Sequence, residues 1–231
     1  HVLPLNSPME TAALIARSEA QAKTGLDSSD IGIFFITPCP AKITAVKQPI
    51  CLPESNVDAV IAMKDIYPVL LKQMNHLGAP EDACKSGLMG VSWASSGGES
   101  AALLKDKYLA ADGIENVIKV LEEIEDEKLD RLDFVELNAC SGGCVGGGLG
   151  VENPYVAKAK LKRIRKYRPV SCNHLEEESL APYTWNAPVE YEPVLELDAD
   201  IRTAMEKMKM MREIEGRLYG MDCGSCGAPS C

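Results

Sequence analysis

Apolar residues along the chain follow two kinds of spacing, and each kind predicts a different element. Helical spacing predicts six helices, over residues 7–24, 65–74, 99–106, 113–127, 154–167 and 201–218. Short continuous apolar runs predict three buried strands, over residues 31–36, 58–63 and 133–138. Strands and helices that alternate in this order indicate an α/β fold, with parallel-sheet layers and flanking helices.

Two segments interrupt this pattern. Residues 78–98 are rich in glycine and serine and are predicted to form a loop, and residues 170–197 collect prolines and are predicted to be a crossing segment or linker. We therefore divide the chain into a domain at 1–197 and a helix with a cysteine motif at 198–231. The chain opens on His1 and stops on the last residue of that motif, so we expect both ends to be cuts in a longer protein.

Composition narrows the classes of function. A net charge of −10 argues against a nucleic-acid partner, because no basic face is available to neutralise phosphates. No apolar run approaches the roughly 20 residues of a membrane span, and no signal peptide is visible. Nine cysteines are an odd number for a disulfide framework and favour metal or redox chemistry in a reducing compartment. We expect a cytoplasmic protein.

The residues 138–148, NACSGGCVGGG, form the most distinctive stretch. Cys140 and Cys144 are spaced C-x-x-x-C directly after a predicted strand, among five glycines. Glycine backbone can approach a bulky inorganic group closely, and cysteine thiolates are the usual ligands of iron–sulfur clusters. A buried structural cysteine pair beside a glycine turn is the alternative. Cys39 also follows a predicted strand, so it and Cys140 are expected at one edge of the sheet.

The C-terminus carries a second motif, C-x-x-C-x-x-x-x-C, formed by Cys223, Cys226 and Cys231. Three close thiols on a glycine-containing loop favour a [4Fe-4S] cluster over zinc or a thioredoxin-like pair. A fourth ligand is missing from the motif. The candidates are a residue beyond the end of the chain or one of three other cysteines, Cys51, Cys84 and Cys172.

Several segments, in the same order along the chain, carry a resemblance to a known family. Residues 134–148 resemble the last signature of the [FeFe]-hydrogenase catalytic domain, and TPCPAK at 37–42 resembles its middle signature. SPM at 7–9 is similar to the segment after its first signature, and GVSWASSGG at 90–98 matches its glycine-rich loop. The C-terminal motif resembles the small iron–sulfur domain of sensor-type members. The resemblance implies an incomplete N-terminus, since the first signature would precede His1.

The resemblance implies roles for individual residues. Cys39, Cys140 and Cys144 would hold the [4Fe-4S] part of the H-cluster, and Cys144 would bridge to its diiron subcluster. Lys42 would donate a hydrogen bond to an iron-bound cyanide. Asn138 and Trp93 would line the cofactor. Cys223, Cys226 and Cys231 would hold a second cluster.

The chain departs from the family at several positions. Asn138 and Thr37 stand where methionines are usual, Ala45 replaces a glutamate, Leu3 replaces a serine used in proton transfer, and Trp93 replaces a phenylalanine. Polar groups near a cluster change its hydrogen bonding and potential. A broken proton path is expected to slow turnover more than it weakens cluster binding, which points to the slow, sensory branch.

The resemblance thus implies an oxidoreductase of an anaerobe that interconverts H2 with protons and electrons and serves as a hydrogen sensor. Its electron partner would be a ferredoxin or a fused signalling domain. Two alternatives remain open: a non-catalytic iron–sulfur protein of hydrogenase-like fold, acting in cluster assembly or electron transfer, and a zinc-binding structural module.

Overall fold

The computed structural model describes residues 2–74, 76, 86–170, 181–185, 187–189 and 196–218. The chain divides into two compact units. The first contains His1–Phe35, Pro40–Val60 and Ser179–Cys231, and the second contains Ile36–Cys39 and Ile61–Glu178. The domain boundary at residue 197 stays a prediction.

The described residues form helices and short strands in alternation. The helices are α1 Pro8–Thr24, α2 Pro40–Lys47, α3 Met63–Met74, α4 Leu88–Ser92, α5 Gly98–Ala102, α6 Ile114–Glu125, α7 Pro154–Arg165 and α8 Ile201–Glu215. The strands are β1 Phe34–Thr37, β2 Ala59–Ala62, β3 Tyr108–Asp112 and β4 Phe134–Asn138. No helix of the described residues is both long and apolar enough to cross a membrane.

The strands pair two by two. β1 pairs with β2, and β3 pairs in parallel with β4 in a register that runs from Tyr108 opposite Phe134 to Asp112 opposite Asn138. The predicted α/β fold with parallel strands and flanking helices is therefore confirmed. The described strands form two separate sheets rather than one, so the segments that carry Cys39 and Cys140 leave strands of different sheets.

Several elements differ from the predictions. β3 was not predicted, because its YLAAD sequence has no β-branched residue and lies between two helical patterns. The TPCPAK segment runs straight into α2, which was also not predicted. Pro68 is inside α3 rather than in its first turn, because that helix begins at Met63.

A small apolar cluster forms the core of the first unit. Met9, Ala13 and Val57 are buried there, with Ile33, Phe35, Val46 and Val60 packed against them. The prediction that the 31–36 run is fully buried is wrong for Phe34, which is 64% exposed. Phe34 and Phe35 point to opposite sides of β1, and only the side of Phe35 meets the core.

Arg17 of α1 ties the helix to two loops of the same unit. Its guanidinium donates to the carbonyl groups of Ser28, Ile31 and Asn56 and forms an ion pair of 2.6 Å with Asp58. Asp58 also accepts the Ile33 N–H at 2.6 Å. That N–H bond and the Arg17 guanidinium lower the pKa of the Asp58 carboxyl.

The Asp58 carboxylate makes the stability of the first unit depend on pH. Because its pKa is lower in the folded state, its contribution is present above the unfolded pKa of about 3.9 and is lost as the pH falls through the folded value. In Asp58→Asn we expect the urea midpoint to decrease near pH 7 and to converge with that of the wild type below about pH 3. Half of the Asp58 side chain is exposed, so added salt should reduce the difference. If the urea midpoints of Asp58→Asn and the wild type differ by the same amount at pH 7 and at pH 2.5, this prediction is contradicted.

Candidate functional site

The cysteine loop, residues 139–150, begins where β4 ends. Gly142 and Gly143 have φ angles of +89° and +88°, in the left-handed region that glycine adopts readily. The chain then makes a short 3-10 turn over Cys144–Gly146 and returns to the interior at Leu149, which is fully buried. The two glycines that separate the cysteines are thus required by the turn between them.

One side of the cysteine loop packs against the turn at residues 94–96. The Ser96 N–H donates to the Gly142 carbonyl at 3.0 Å, and the Val145 N–H donates to the Ala94 carbonyl at 2.9 Å. A Cβ atom on Gly143 would lie 2.4 Å from the Ser96 nitrogen. The glycine-rich turn predicted to belong to the site therefore touches the cysteine loop.

The other side of the cysteine loop packs against the segment that carries Cys39. The Leu149 N–H donates to the Pro38 carbonyl at 2.9 Å, and a Cβ atom on Gly147 would lie 2.3 Å from that carbonyl oxygen. This close approach places the Cys39 segment beside the cysteine loop, although the two segments leave different sheets.

The thiol of Cys140 is affected by its burial and by the nearby Cys39. Burial raises the pKa of the Cys140 thiol, and the nearby Cys39 raises it further. Cys39 is half-buried, and its N–H donates at 3.1 Å to the hydroxyl of Thr37, which is 2% exposed. A cation near Cys140 would oppose this effect, because it favours the charged thiolate.

The chemistry of these donors fits an iron–sulfur cluster in part. Thiolates are the ligands of such clusters. Cys144 is exposed on the same loop as Cys140. In the described part of the chain, however, no three His, Cys, Asp or Glu side chains are arranged to hold a metal ion. The three cysteines are therefore a partial set of donors on adjoining segments, and their joint ligation stays a prediction.

A polar group that was not predicted lies against the same loop. Asp112, the last residue of β3, has its pKa lowered by a hydrogen bond from the Gly142 N–H, by the Ser96 hydroxyl and by the charge of Lys158. Asp112, Gly142 and Lys158 line a cavity of about 140 Å³. The other residues that line it are Ser141, Pro154 and Tyr155. Asp112 was missed because β3 itself was not predicted.

A second unpredicted residue is Glu136, in the middle of β4. Its side chain is only 4% exposed and accepts hydrogen bonds from Gly97, Ser100 and Asn138. A charged residue inside an otherwise apolar strand run was the available signal, because a buried carboxylate requires several donors around it.

The remaining predicted site residues are distributed over the chain. Asn138 is the last residue of β4 and half-buried, and Trp93 follows α4 and is 42% exposed. Lys42 lies in α2 of the first unit. The predicted second cluster ligands, Cys223, Cys226 and Cys231, lie outside the described residues.

Solved structures with a similar fold include [FeFe]-hydrogenases. The chain resembles the structure of HydA(deltaEFG), which revealed stepwise H-cluster assembly, with a TM-score of 0.51 and 17% identity over 69% of this chain and 60% of that chain. A second solved structure concerns oxygen inactivation of an [FeFe]-hydrogenase through its 2Fe subcluster. It has a TM-score of 0.47 and 15% identity, over 95% of this chain and 66% of that chain. The chain thus spans three-fifths to two-thirds of these solved chains.

Sequence comparison identifies a family for the chain. No curated protein matches the chain. A family profile, that of the iron only hydrogenase large subunit, C-terminal domain, matches residues 1–106 and 94–148, which together are residues 1–148 of the 231. This range contains Cys39, Cys140 and Cys144. Since the match covers more than half of its length, the chain belongs to the iron only hydrogenase large subunit, C-terminal domain family.

Proposed function

We propose that the cysteine loop and the Cys39 segment bind a [4Fe-4S] cluster, and that the protein interconverts H2 with protons and electrons. The observation that carries this proposal is the packing of the cysteine loop on the Pro38 carbonyl, which brings the strand-end cysteines Cys39 and Cys140 onto adjoining segments of one unit. The family supports iron–sulfur chemistry as the class of function.

In this proposal Cys39, Cys140 and Cys144 would be the ligands, and Cys144 would also hold the diiron subcluster. When bound, that cofactor supplies the site at which H2 is made or split. The chain's own residues orient and enclose it. Asn138 and Trp93 would line the site, and Lys42 would donate a hydrogen bond to it.

We further propose a sensory rather than a high-turnover role, in the cytoplasm. The support is the replacement of usual family residues. Thr37 and Asn138 would alter the cluster's surroundings, and Leu3, at the place of a serine used in proton transfer, and Ala45, at the place of a glutamate, are further departures that accompany a broken proton path. The C-terminal cysteines would hold a second [4Fe-4S] cluster, from which electrons pass to a ferredoxin or a fused signalling domain.

A non-catalytic iron–sulfur protein of the same fold is the second candidate. It is favoured by polar Asn138 and Thr37, whose side chains are engaged by Glu136 and by the Cys39 N–H. This candidate predicts a cubane cluster without diiron uptake. Infrared bands of CO and CN ligands, measured after reconstitution with a synthetic diiron cofactor, distinguish the two.

The cluster site is tested by iron content after anaerobic reconstitution of the full-length protein. Cys140→Ala is expected to lose about four iron atoms per chain together with the cubane signal in electron paramagnetic resonance, because a half-buried thiolate ligand is removed. Replacing Cys223 and Cys226 by alanine in every sample removes the iron of the C-terminal motif.

The matched control is Cys51→Ala, which removes a thiol that lies in the first unit, 3.9 Å from the Pro188 carbonyl oxygen. This variant should keep the iron content of its parent. Equal iron in Cys140→Ala and Cys51→Ala would exclude the proposed site.

A further inference from the structure

Glu136 is a buried carboxylate surrounded by hydrogen-bond donors. One oxygen accepts the Gly97 N–H at 2.9 Å and the Asn138 side-chain NH2 at 2.8 Å. The other accepts the N–H and the hydroxyl of Ser100, each at 2.9 Å. Ser100 is fully buried, so its N–H and its hydroxyl have no access to water as an alternative partner.

This arrangement determines which way the Asn138 amide points. An ionised carboxylate only accepts hydrogen bonds, whereas an amide has an NH2 group that donates and a carbonyl that accepts. A reversed amide would bring two oxygen atoms to about 2.8 Å of each other, without a proton between them. The NH2 group must therefore face Glu136, and the carbonyl oxygen must face away from it.

Asn138 lies at the end of β4, next to the start of the cysteine loop. Residues 136 and 138 lie on the same face of β4, because side chains alternate along a strand. Asn138 is the nearer of the two to the strand end from which Cys140 follows. No described residue donates a hydrogen bond to this carbonyl oxygen.

We propose that Glu136 is a positioning residue, which fixes the Asn138 carbonyl oxygen as a hydrogen-bond acceptor towards the cluster site. This inference rests on the proposed function, in which the adjoining cysteines hold a cluster. The oxygen is the negative end of the amide dipole, so it disfavours an added electron and lowers the reduction potential of the cluster.

The orientation of the amide is tested first, in the protein without iron, by hydrogen exchange of side-chain NH2 groups in NMR. The Asn138 NH2 protons are expected to exchange more slowly than those of Asn116, whose NH2 donates to the Asp112 carbonyl at an exposed position. Glu136→Gln should abolish the difference, and the exposed control Glu115→Gln should leave it unchanged. Fast exchange of Asn138 in the wild type would overturn the inference.

The effect on the cluster is tested by the midpoint potential of the reconstituted protein. Asn138→Leu removes the dipole and should raise the potential. Glu136→Gln should raise it further, because a glutamine donor lets the Asn138 amide reverse and present its NH2 group. Loss of the Glu136 charge raises the potential in either background, so the increase caused by Glu136→Gln should be smaller in the Asn138→Leu background than in the wild type, since no amide is left there to reverse.

The outcomes separate this inference from the proposed function. Normal iron content with equal potentials in the wild type and Asn138→Leu would overturn the inference and leave the cluster site intact. Absence of iron in the wild type would overturn the proposed function, and the role of Asn138 at a cluster would fall with it. If Glu136→Gln fails to fold, Asn138→Leu still decides, because it retains Glu136.

Discussion

Gly147→Ala is expected to destabilise the second unit by at least ~3 kcal/mol and to prevent iron uptake. The added Cβ atom would lie 2.3 Å from the Pro38 carbonyl oxygen and 2.8 Å from its carbon. Both atoms belong to the backbone, so no side chain can move aside. Relief requires the cysteine loop to separate from the Cys39 segment, and the buried Leu149 N–H then loses its partner.

The backbone angles of Gly147 show that the effect is steric. Its φ of −62° and ψ of 142° suit any L-residue, so alanine adds no conformational strain. Gly148→Ala is the matched control, because a Cβ atom there has nothing within 4 Å. Its stability should change by less than about 1 kcal/mol, in either direction.

The chain's two tryptophans allow each unit to be followed separately, because Trp93 lies in the second unit and Trp185 in the first. In a Trp185→Phe background, the urea midpoint reported by Trp93 fluorescence measures the second unit. Similar midpoints for Gly147→Ala and Gly148→Ala would mean that the contact with Pro38 contributes little to stability.

The fold was predictable wherever local signals were strong. β4 and α6 lie within one or two residues of their predicted ends, because a continuous apolar run and a regular apolar stripe specify them. β3 was missed, because its alanines carry little strand preference and only pairing with β4 selects the extended form. Pairing with β4, which lies 26 residues later in the sequence, thus outweighs the low strand propensity of β3.

The candidate site was predictable from its cysteines but not from the groups that support them. Cys39, Cys140 and Cys144 are recognisable by spacing and by their glycine neighbours. The roles of Glu136 and Asp112 depend on donors that are distant in sequence, since Glu136 accepts from a turn 36–39 residues earlier. A single sequence does not show which distant donors will bond a given carboxylate. Its one signal here is a charged residue inside an apolar strand run.

Glu10, in the first unit, is another residue whose partners are distant in sequence and are not indicated by the local pattern. Ser7 and Glu10 have the S-x-x-E spacing of a capping box, in which the glutamate would bond the backbone at the helix start. Ser7 does cap α1. The Glu10 carboxylate instead accepts from the Ser55 hydroxyl at 2.6 Å and from the Asn56 N–H and side-chain NH2 at 2.7 and 3.1 Å.

Glu10→Ala is therefore expected to destabilise the first unit by about 3–5 kcal/mol. The side chain is 4% exposed, so its removal leaves three donors without a partner beside the Met9 and Ala13 core. Glu10→Gln should cost less, about 1–3 kcal/mol, because its carbonyl oxygen still accepts while its NH2 group faces a donor.

Glu19→Ala is the matched control, since it is the same substitution on the same helix. Glu19 is half-exposed and bonds Lys23 one turn along α1, an arrangement worth about 0.3–0.5 kcal/mol. Trp185 fluorescence in a Trp93→Phe background measures the urea midpoint of the first unit. A loss in Glu10→Ala no larger than in Glu19→Ala would mean that the buried carboxylate does not hold the Ser55–Asn56 loop, and that α1 is fixed by its apolar contacts and by Arg17.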